Sequence, residues 1–128
     1  MTNNDRAAIV AGHGDFATGI ISAVDRITGC GELFVPMSNA GLGAEAIEQR
    51  LRELLAEHHA QVIFADLAAG SCSIAACRLV RECDVIVVTG VNLPALVFYA
   101  THQELPLREA AAQSVVRASS SIRLLAGK

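Results

Sequence analysis

The chain has 128 residues, a formal net charge of −3 at pH 7, 52% hydrophobic residues and 18% charged residues. This composition argues against disorder and predicts one domain over residues 1–128, while the weak negative charge and only 4% aromatic residues argue against a nucleic-acid surface. No apolar run approaches the roughly 18 residues of a membrane span, and the polar start at residues 2–6 is unlike a secretory signal, so we expect a cytosolic protein with no membrane insertion.

Short apolar runs alternate with helical patterns along the whole chain. The predicted elements are a strand at Ala7–Ala11, a helix from Phe16 that stops near Gly29, a strand at Glu32–Val35, a helix that begins after Gly43 and ends before Gln61, a strand at Val62–Ala65, a helix from Ser71 to about Arg81, a strand at Val85–Thr89, a short helix from Pro94 through Tyr99, and a last helix at Leu107–Leu125. The hydroxyl of Ser71 is expected to cap its helix.

The alternation of elements predicts the fold class. The third and fourth strand candidates are continuous apolar runs, which are typical of strands covered on both faces in a parallel sheet. The order β-α-β-α-β-α-β-α-α predicts an α/β fold: a doubly wound, mostly parallel four-stranded sheet with helices on both faces. The expected strand order is 2-1-3-4.

Polar residues collect at the carboxyl ends of the predicted strands, where ligands bind in such sheets. His13 follows the first strand between two glycines, Asp66 ends the third, Gly70-Ser71 opens the next helix, and Asn92 follows the fourth. We interpret His13 as a nucleophile whose ring is oriented by the Asp66 carboxylate. Gly70, Ser71 and the N–H groups of that helix start are the predicted phosphate-binding groups. Gly14 and Asn92 are expected to stabilise this site without contacting the phosphoryl group themselves.

Other kinds of site are less well matched. The spacing Cys72-x4-Cys77-x5-Cys83 fits no standard zinc pattern, so no metal and no cofactor are expected, and the role of Cys72 beside the site is left open. A dinucleotide site is also disfavoured, because Gly12-His13-Gly14 lacks the third glycine of the fingerprint, where Ala17 stands.

Three segments carry a resemblance to a known family. The residues 13–19 (HGDFATG), 64–71 (FADLAAGS) and 89–94 (TGVNLP) resemble, in order and spacing, signature segments of the mannose-class IIA components of the sugar phosphotransferase system. The chain departs from that family at residues 69–73, where Ala69-Gly70 replaces Gly-Gly and Cys72-Ser73 replaces Pro-Phe. The departure leaves the strength of partner docking open.

The resemblance implies a cytosolic phosphotransferase. His13 would accept a phosphoryl group from the carrier HPr and pass it to a IIB component of a sugar permease, with Asp66 as the orienting carboxylate and Ser71 on the phosphate side. It also implies a homodimer that exchanges a C-terminal edge strand, for which residues 121–125 are the candidate. Two alternatives remain: a regulatory or dihydroxyacetone-kinase-type relay with a different recipient, and a degenerate anion-binding module without transfer.

Overall fold

A computed structural model describes residues 6–128, and within them it contains four strands and five helices. In chain order these are β1 (Ala8–Gly12), α1 (Phe16–Thr28), β2 (Phe34–Ser38), α2 (Ala44–His58), β3 (Val62–Ala65), α3 (Ser71–Val80), β4 (Ile86–Thr89), α4 (Leu93–Thr101) and α5 (Leu107–Ser120). The predicted order of elements is confirmed. Residues 2–5, on which the expectation about a secretory signal partly depends, lie outside the described residues.

The four strands form one parallel sheet in the order β2-β1-β3-β4, which confirms the predicted fold class and strand order. The register places Gly12 opposite Ser38, and Ala11 opposite Ala65. The carboxyl ends of β1, β2 and β3 therefore meet at one edge of the sheet. The loops that follow these three strands begin side by side.

The alternation of side chains along the buried strands divides the core into two layers. Ala8 and Val10 of β1 face one side of the sheet, and Ile9 and Ala11 face the other. The first layer is closed by α1, α4 and α5 and contains the aromatic cluster Phe34, Phe64 and Tyr99. The second layer is closed by α2 and α3, with residues Ile47, Leu51, Leu54, Ala75, Ala76 and Leu79. None of the helices between residues 6 and 128 is long and apolar enough to cross a bilayer.

The strand β2 differs from its prediction. Glu32–Val35 was the expected range, whereas β2 begins at Phe34 and extends through Pro36 to Ser38. Glu32 lies in a 3-10 turn, Gly31–Leu33, which is fixed by the N–H of Gly31 donating to Asp25 Oδ1 at 2.9 Å. Pro36 does not end the strand, because β2 is at the edge of the sheet, where a residue without an N–H is tolerated.

The last helix is also shorter than predicted. It was expected at Leu107–Leu125, but α5 ends at Ser120, and residues 122–128 form no regular secondary structure. The hydroxyls of Ser119, Ser120 and Ser121 donate to backbone carbonyls of the preceding turn, an arrangement that competes with a regular helix end. The remaining boundaries agree with the predictions within one or two residues.

Candidate functional site

The centre of the site is a pair formed by His13 and Asp66. His13 follows β1 and Asp66 follows β3, and these two strands are neighbours in the sheet. The Nδ1 atom of His13 lies 2.8 Å from Asp66 Oδ2, and the backbone N–H of His13 donates to the same oxygen at 2.9 Å. The predicted meeting of this imidazole and this carboxylate is therefore observed in the structure.

The environment of Asp66 keeps its carboxyl group ionised. Burial alone would raise its pKa, but hydrogen bonds from the ring and backbone of His13 and from the N–H of Leu67 outweigh burial, and the pKa lies below its ordinary value. The N–H of Leu67 donates to Oδ1 at 2.8 Å, so both carboxylate oxygens are occupied. The side chain of Asp66 is only 10% exposed, whereas that of His13 is 49% exposed.

This geometry fixes which ring nitrogen of His13 can react. An ionised carboxylate only accepts hydrogen bonds, so the 2.8 Å contact requires the hydrogen to be on Nδ1. In the neutral imidazole, the Nε2 atom then has a lone pair on the ring edge away from Asp66. A half-exposed imidazole held in this tautomer can act as a nucleophile or as a base.

Two glycines allow the pair to form. A Cβ atom on Gly12 would lie 2.9 Å from Asp66 Oδ2 and 2.6 Å from a ring carbon of Phe16, so any larger residue there would displace one of these side chains. A Cβ atom on Gly70 would lie 3.1 Å from Cε1 of His13, which places the start of α3 directly beside the imidazole. Gly14 has a φ of +50°, which favours glycine in the turn after His13.

The start of α3 presents unused donors beside the ring. Gly70 occupies the cap position and Ser71 is the first helical residue, so the expectation that the Ser71 hydroxyl caps the helix was wrong. For the backbone N–H groups of Ser71, Cys72 and Ser73, the described part of the chain offers no hydrogen-bond acceptor. Together with the positive end of the helix dipole, these groups suit an anion.

The loop that departs from the expected family pattern is closed by its own hydrogen bonds. The N–H of Gly70 donates to the carbonyl of Leu67 at 3.2 Å, and the buried hydroxyl of Ser73 donates to the same carbonyl. Cys72 is fully buried, and burial together with the Asp66 charge raises the pKa of its thiol to about 11. Cys72 is therefore an uncharged packing residue at neutral pH.

Asn92 makes its contacts away from the pair. Its Oδ1 accepts from the N–H of Ala95 at 3.2 Å, and its Nδ2 donates to the carbonyl of Ala118 at 3.0 Å. It therefore caps α4 and joins it to α5. None of these contacts connects Asn92 to His13 or Asp66, so they do not support its predicted role in stabilising the site.

Sequence reasoning missed three residues of this region: Gly12, Ser73 and Asn39. Asn39 follows β2, and its Nδ2 donates to Ser71 Oγ at 3.0 Å. The rule that selected the other polar residues at strand ends would also have selected Asn39, had β2 not been predicted to end at Val35. Within the described residues, no group of three or more His, Cys, Asp or Glu side chains is arranged to hold a metal ion.

Comparisons with known proteins identify a family and a shared fold. A family model described as EIIA-man, PTS system fructose IIA component, matches residues 7–116. No curated protein sequence matches the chain. The fold resembles that of the mannose/sorbose-specific IIA subunit of the phosphotransferase system from Enterococcus faecalis, with a TM-score of 0.80 and 23% identity over 95% of this chain and 96% of that one.

Two further solved structures share the fold. The phosphotransferase system component EIIA from Streptococcus agalactiae has a TM-score of 0.82 and 20% identity, over 91% of this chain and 95% of that one. A sigma-54 interaction domain protein from Enterococcus faecalis has a TM-score of 0.70 and 13% identity, over 93% of this chain and 94% of that one.

The close approach at Gly12 gives a test of the packing around Asp66. Gly12→Ala should lower the free energy of unfolding by about 1–3 kcal/mol, because the added methyl group must displace Asp66 or Phe16. Gly19→Ala is the matched control: Gly19 lies within α1 with open space around it, so alanine should raise stability by up to about 1 kcal/mol. Urea denaturation measures both changes, and equal midpoints for Gly12→Ala and the wild type would contradict the packing argument.

The lowered pKa of Asp66 has a consequence for acid stability. A group with a depressed folded pKa stabilises the fold above its unfolded pKa, and this contribution is lost as the pH falls toward the folded value. The Asp66 carboxyl, followed by carbon NMR, should titrate below the ordinary pKa of an aspartate in the wild type and at a higher pH in His13→Ala, which removes the ring hydrogen bond. An unchanged titration in His13→Ala would show that the ring does not stabilise the carboxylate.

Proposed function

The chain belongs to the EIIA-man family of the phosphotransferase system, and we propose that it is a cytosolic IIA domain spanning residues 1–128 in which His13 accepts a phosphoryl group from HPr and passes it to a IIB component for sugar uptake. The observation that carries this proposal is the 2.8 Å contact between His13 Nδ1 and Asp66 Oδ2. It leaves Nε2 of a half-exposed ring as the nucleophilic atom.

The proposed transfer follows from this tautomer. The lone pair of His13 Nε2 attacks the phosphorus atom, the new N–P bond forms, and the bond between phosphorus and the donor breaks with its electron pair remaining on the donor. The ring then carries a hydrogen on Nδ1 and the phosphoryl group on Nε2, and therefore a positive charge. The buried carboxylate of Asp66 balances that charge. Transfer to the acceptor is the same step in reverse.

The start of α3 supports the proposed phosphoryl group. The unused N–H groups of residues 71–73 and the hydroxyl of Ser71 lie next to Gly70, whose missing side chain brings this backbone close to the His13 ring. The family's proline would remove one of these donors, whereas Cys72 keeps its N–H. The change in the loop therefore preserves the anion-binding capacity of the helix start.

Exposed apolar side chains near His13 support a protein as the phosphoryl donor. Leu67 is 57% exposed beside Gly70, and Ile74, one turn into α3, is 51% exposed. An apolar surface next to a reactive group favours contact with a macromolecule over capture of a small polar metabolite.

The phosphorylation itself is tested with labelled phosphoenolpyruvate, enzyme I and HPr. The protein should acquire an acid-labile, base-stable phosphate that is absent from His13→Ala. Asp66→Asn should acquire it about ten- to a hundredfold more slowly, because a charged hydrogen bond contributes about 1.5–3 kcal/mol. His58→Ala, at the distant end of α2, is the control and should be labelled at the wild-type rate.

The same assay separates the proposal from its alternatives. An unlabelled wild-type protein would reject the relay and leave an anion-binding module. A labelled protein that transfers its phosphate to no IIB component of a sugar permease would support the regulatory or dihydroxyacetone-kinase-type recipient instead. The proposal requires both labelling and transfer to a IIB component.

We also propose a homodimer in which residues 121–125 add to the β4 edge of a second copy. The two edges of the sheet differ: β2 carries Pro36, which prevents regular pairing at that position, whereas β4 contains no proline. Three apolar side chains beyond α5 are among the most exposed in the described chain: Ile122 at 76%, Leu124 at 87% and Leu125 at 84%. A second copy of the chain is the partner that would cover both the β4 edge and these apolar side chains.

A change at these leucines tests the dimer. The double substitution Leu124→Asp and Leu125→Asp should raise the dissociation constant at least about a hundredfold, since each leucine buried at an interface contributes about 1.5–3 kcal/mol. Sedimentation velocity at several protein concentrations measures this change. Ile27→Asp, an equally apolar exposed site on α1, is the control and should leave the dimer intact. A wild-type monomer at high concentration would refute the proposal.

A further inference from the structure

Asn39 lies at the carboxyl edge of the sheet, and its backbone is held on both sides. Its N–H donates to the carbonyl of Gly12 at 3.0 Å, and its own carbonyl accepts from the N–H of Leu42 at 3.0 Å. The first of these bonds ties Asn39 to the residue that precedes His13. The half-buried side chain of Asn39 therefore starts from a backbone that is fixed next to the strand end that carries His13.

The side chain of Asn39 determines how the Ser71 hydroxyl can be used. The amide Nδ2 lies 3.0 Å from Ser71 Oγ, and an amide nitrogen only donates. One lone pair of the serine oxygen is therefore occupied, while its single hydrogen remains available for another acceptor. The oxygens of a phosphoryl group are acceptors, so a serine that serves them must donate.

We propose that Asn39 is a positioning residue for phosphoryl transfer, acting through Ser71. By donating to Ser71 Oγ, it turns the hydroxyl hydrogen toward the space in front of Gly70 and His13, where the phosphoryl group would lie. This inference rests on the proposed function of His13. It adds a contribution from β2 to a site otherwise built from the segments after β1 and β3.

Substitutions at Asn39 should differ in a characteristic order. Asn39→Ala removes the donor and leaves the Ser71 hydroxyl to rotate, while both backbone hydrogen bonds of residue 39 remain. Asn39→Asp has the same shape but an acceptor in place of the donor. It should therefore draw the hydroxyl hydrogen to itself and away from the phosphoryl group. The aspartate variant should be slower than the alanine variant.

The test is a double-mutant cycle of single-turnover phosphorylation by purified, labelled phospho-HPr at several HPr concentrations. Asn39→Ala should reduce the maximal rate about fivefold, as expected for one hydrogen bond, with an unchanged half-saturating HPr concentration. In a Ser71→Ala background, Asn39→Ala should not reduce the rate further, because the hydroxyl through which Asn39 acts is absent. Ser38→Asp controls for added charge and should be phosphorylated at close to the wild-type rate.

The outcomes separate this inference from the function on which it rests. An unlabelled wild-type protein would overturn both. A normally labelled wild type would support the proposed function. The inference about Asn39 would then be overturned if Asn39→Ala were phosphorylated at the wild-type rate. It would also be overturned if Asn39→Ala reduced the phosphorylation rate of the Ser71→Ala protein by the same factor as that of the wild type. Thermal unfolding of each variant checks the fold, and the isosteric Asn39→Asp replaces Asn39→Ala should the latter unfold.

Discussion

The carboxylate of Asp66 is the interaction on which the site depends. It accepts from the ring and the backbone of His13 and from the backbone of Leu67, so one side chain fixes the tautomer of the imidazole, the turn after β1 and the loop after β3. These bonds compensate the burial of its charge. The close packing leaves no room for a side chain at Gly12. Ionisation, ring orientation and backbone geometry at this edge of the sheet are therefore set together.

Parallel topology explains why residues so distant in sequence meet. Three neighbouring strands in the order β2-β1-β3 end at the same edge, and each is followed directly by a polar residue: Asn39, His13 and Asp66. The backbone also joins the three loops, because Gly12 accepts from the N–H of Asn39 and Ala11 accepts from the N–H of Asp66. The end of β1, which leads into His13, is therefore held by backbone hydrogen bonds to the loops after both neighbouring strands.

The parts of this arrangement differ in how far the sequence predicts them. The range of β3 is predicted without error, because an apolar run buried on both faces has a clear signature and leads directly to Asp66. The edge strand β2 has a weaker signature, since Pro36 is tolerated there only because of its place in the sheet, and that place depends on long-range pairing. The misplaced end of β2 is the reason that Asn39 was missed. Similarly, the need for glycine at position 12 follows from the side chains of Phe16 and of Asp66, 54 residues away, which only the folded structure brings together at this point.

The loop at residues 67–73 departs from the expected family pattern at Cys72 and Ser73, and the structure places both of these side chains in the interior. Ser73 stands where an aromatic residue was expected, yet its buried hydroxyl bonds the carbonyl of Leu67 and closes the loop. Cys72 stands where proline was expected, and its thiol remains protonated and packed in the core while its N–H stays at the helix start. The proposed phosphoryl group beside His13 would need from this segment a close backbone at Gly70 and the N–H groups of residues 71–73, which have no acceptor in the described part of the chain. Both are retained because they depend on the start of α3 and on the absence of one Cβ atom, and not on the identity of the two substituted side chains.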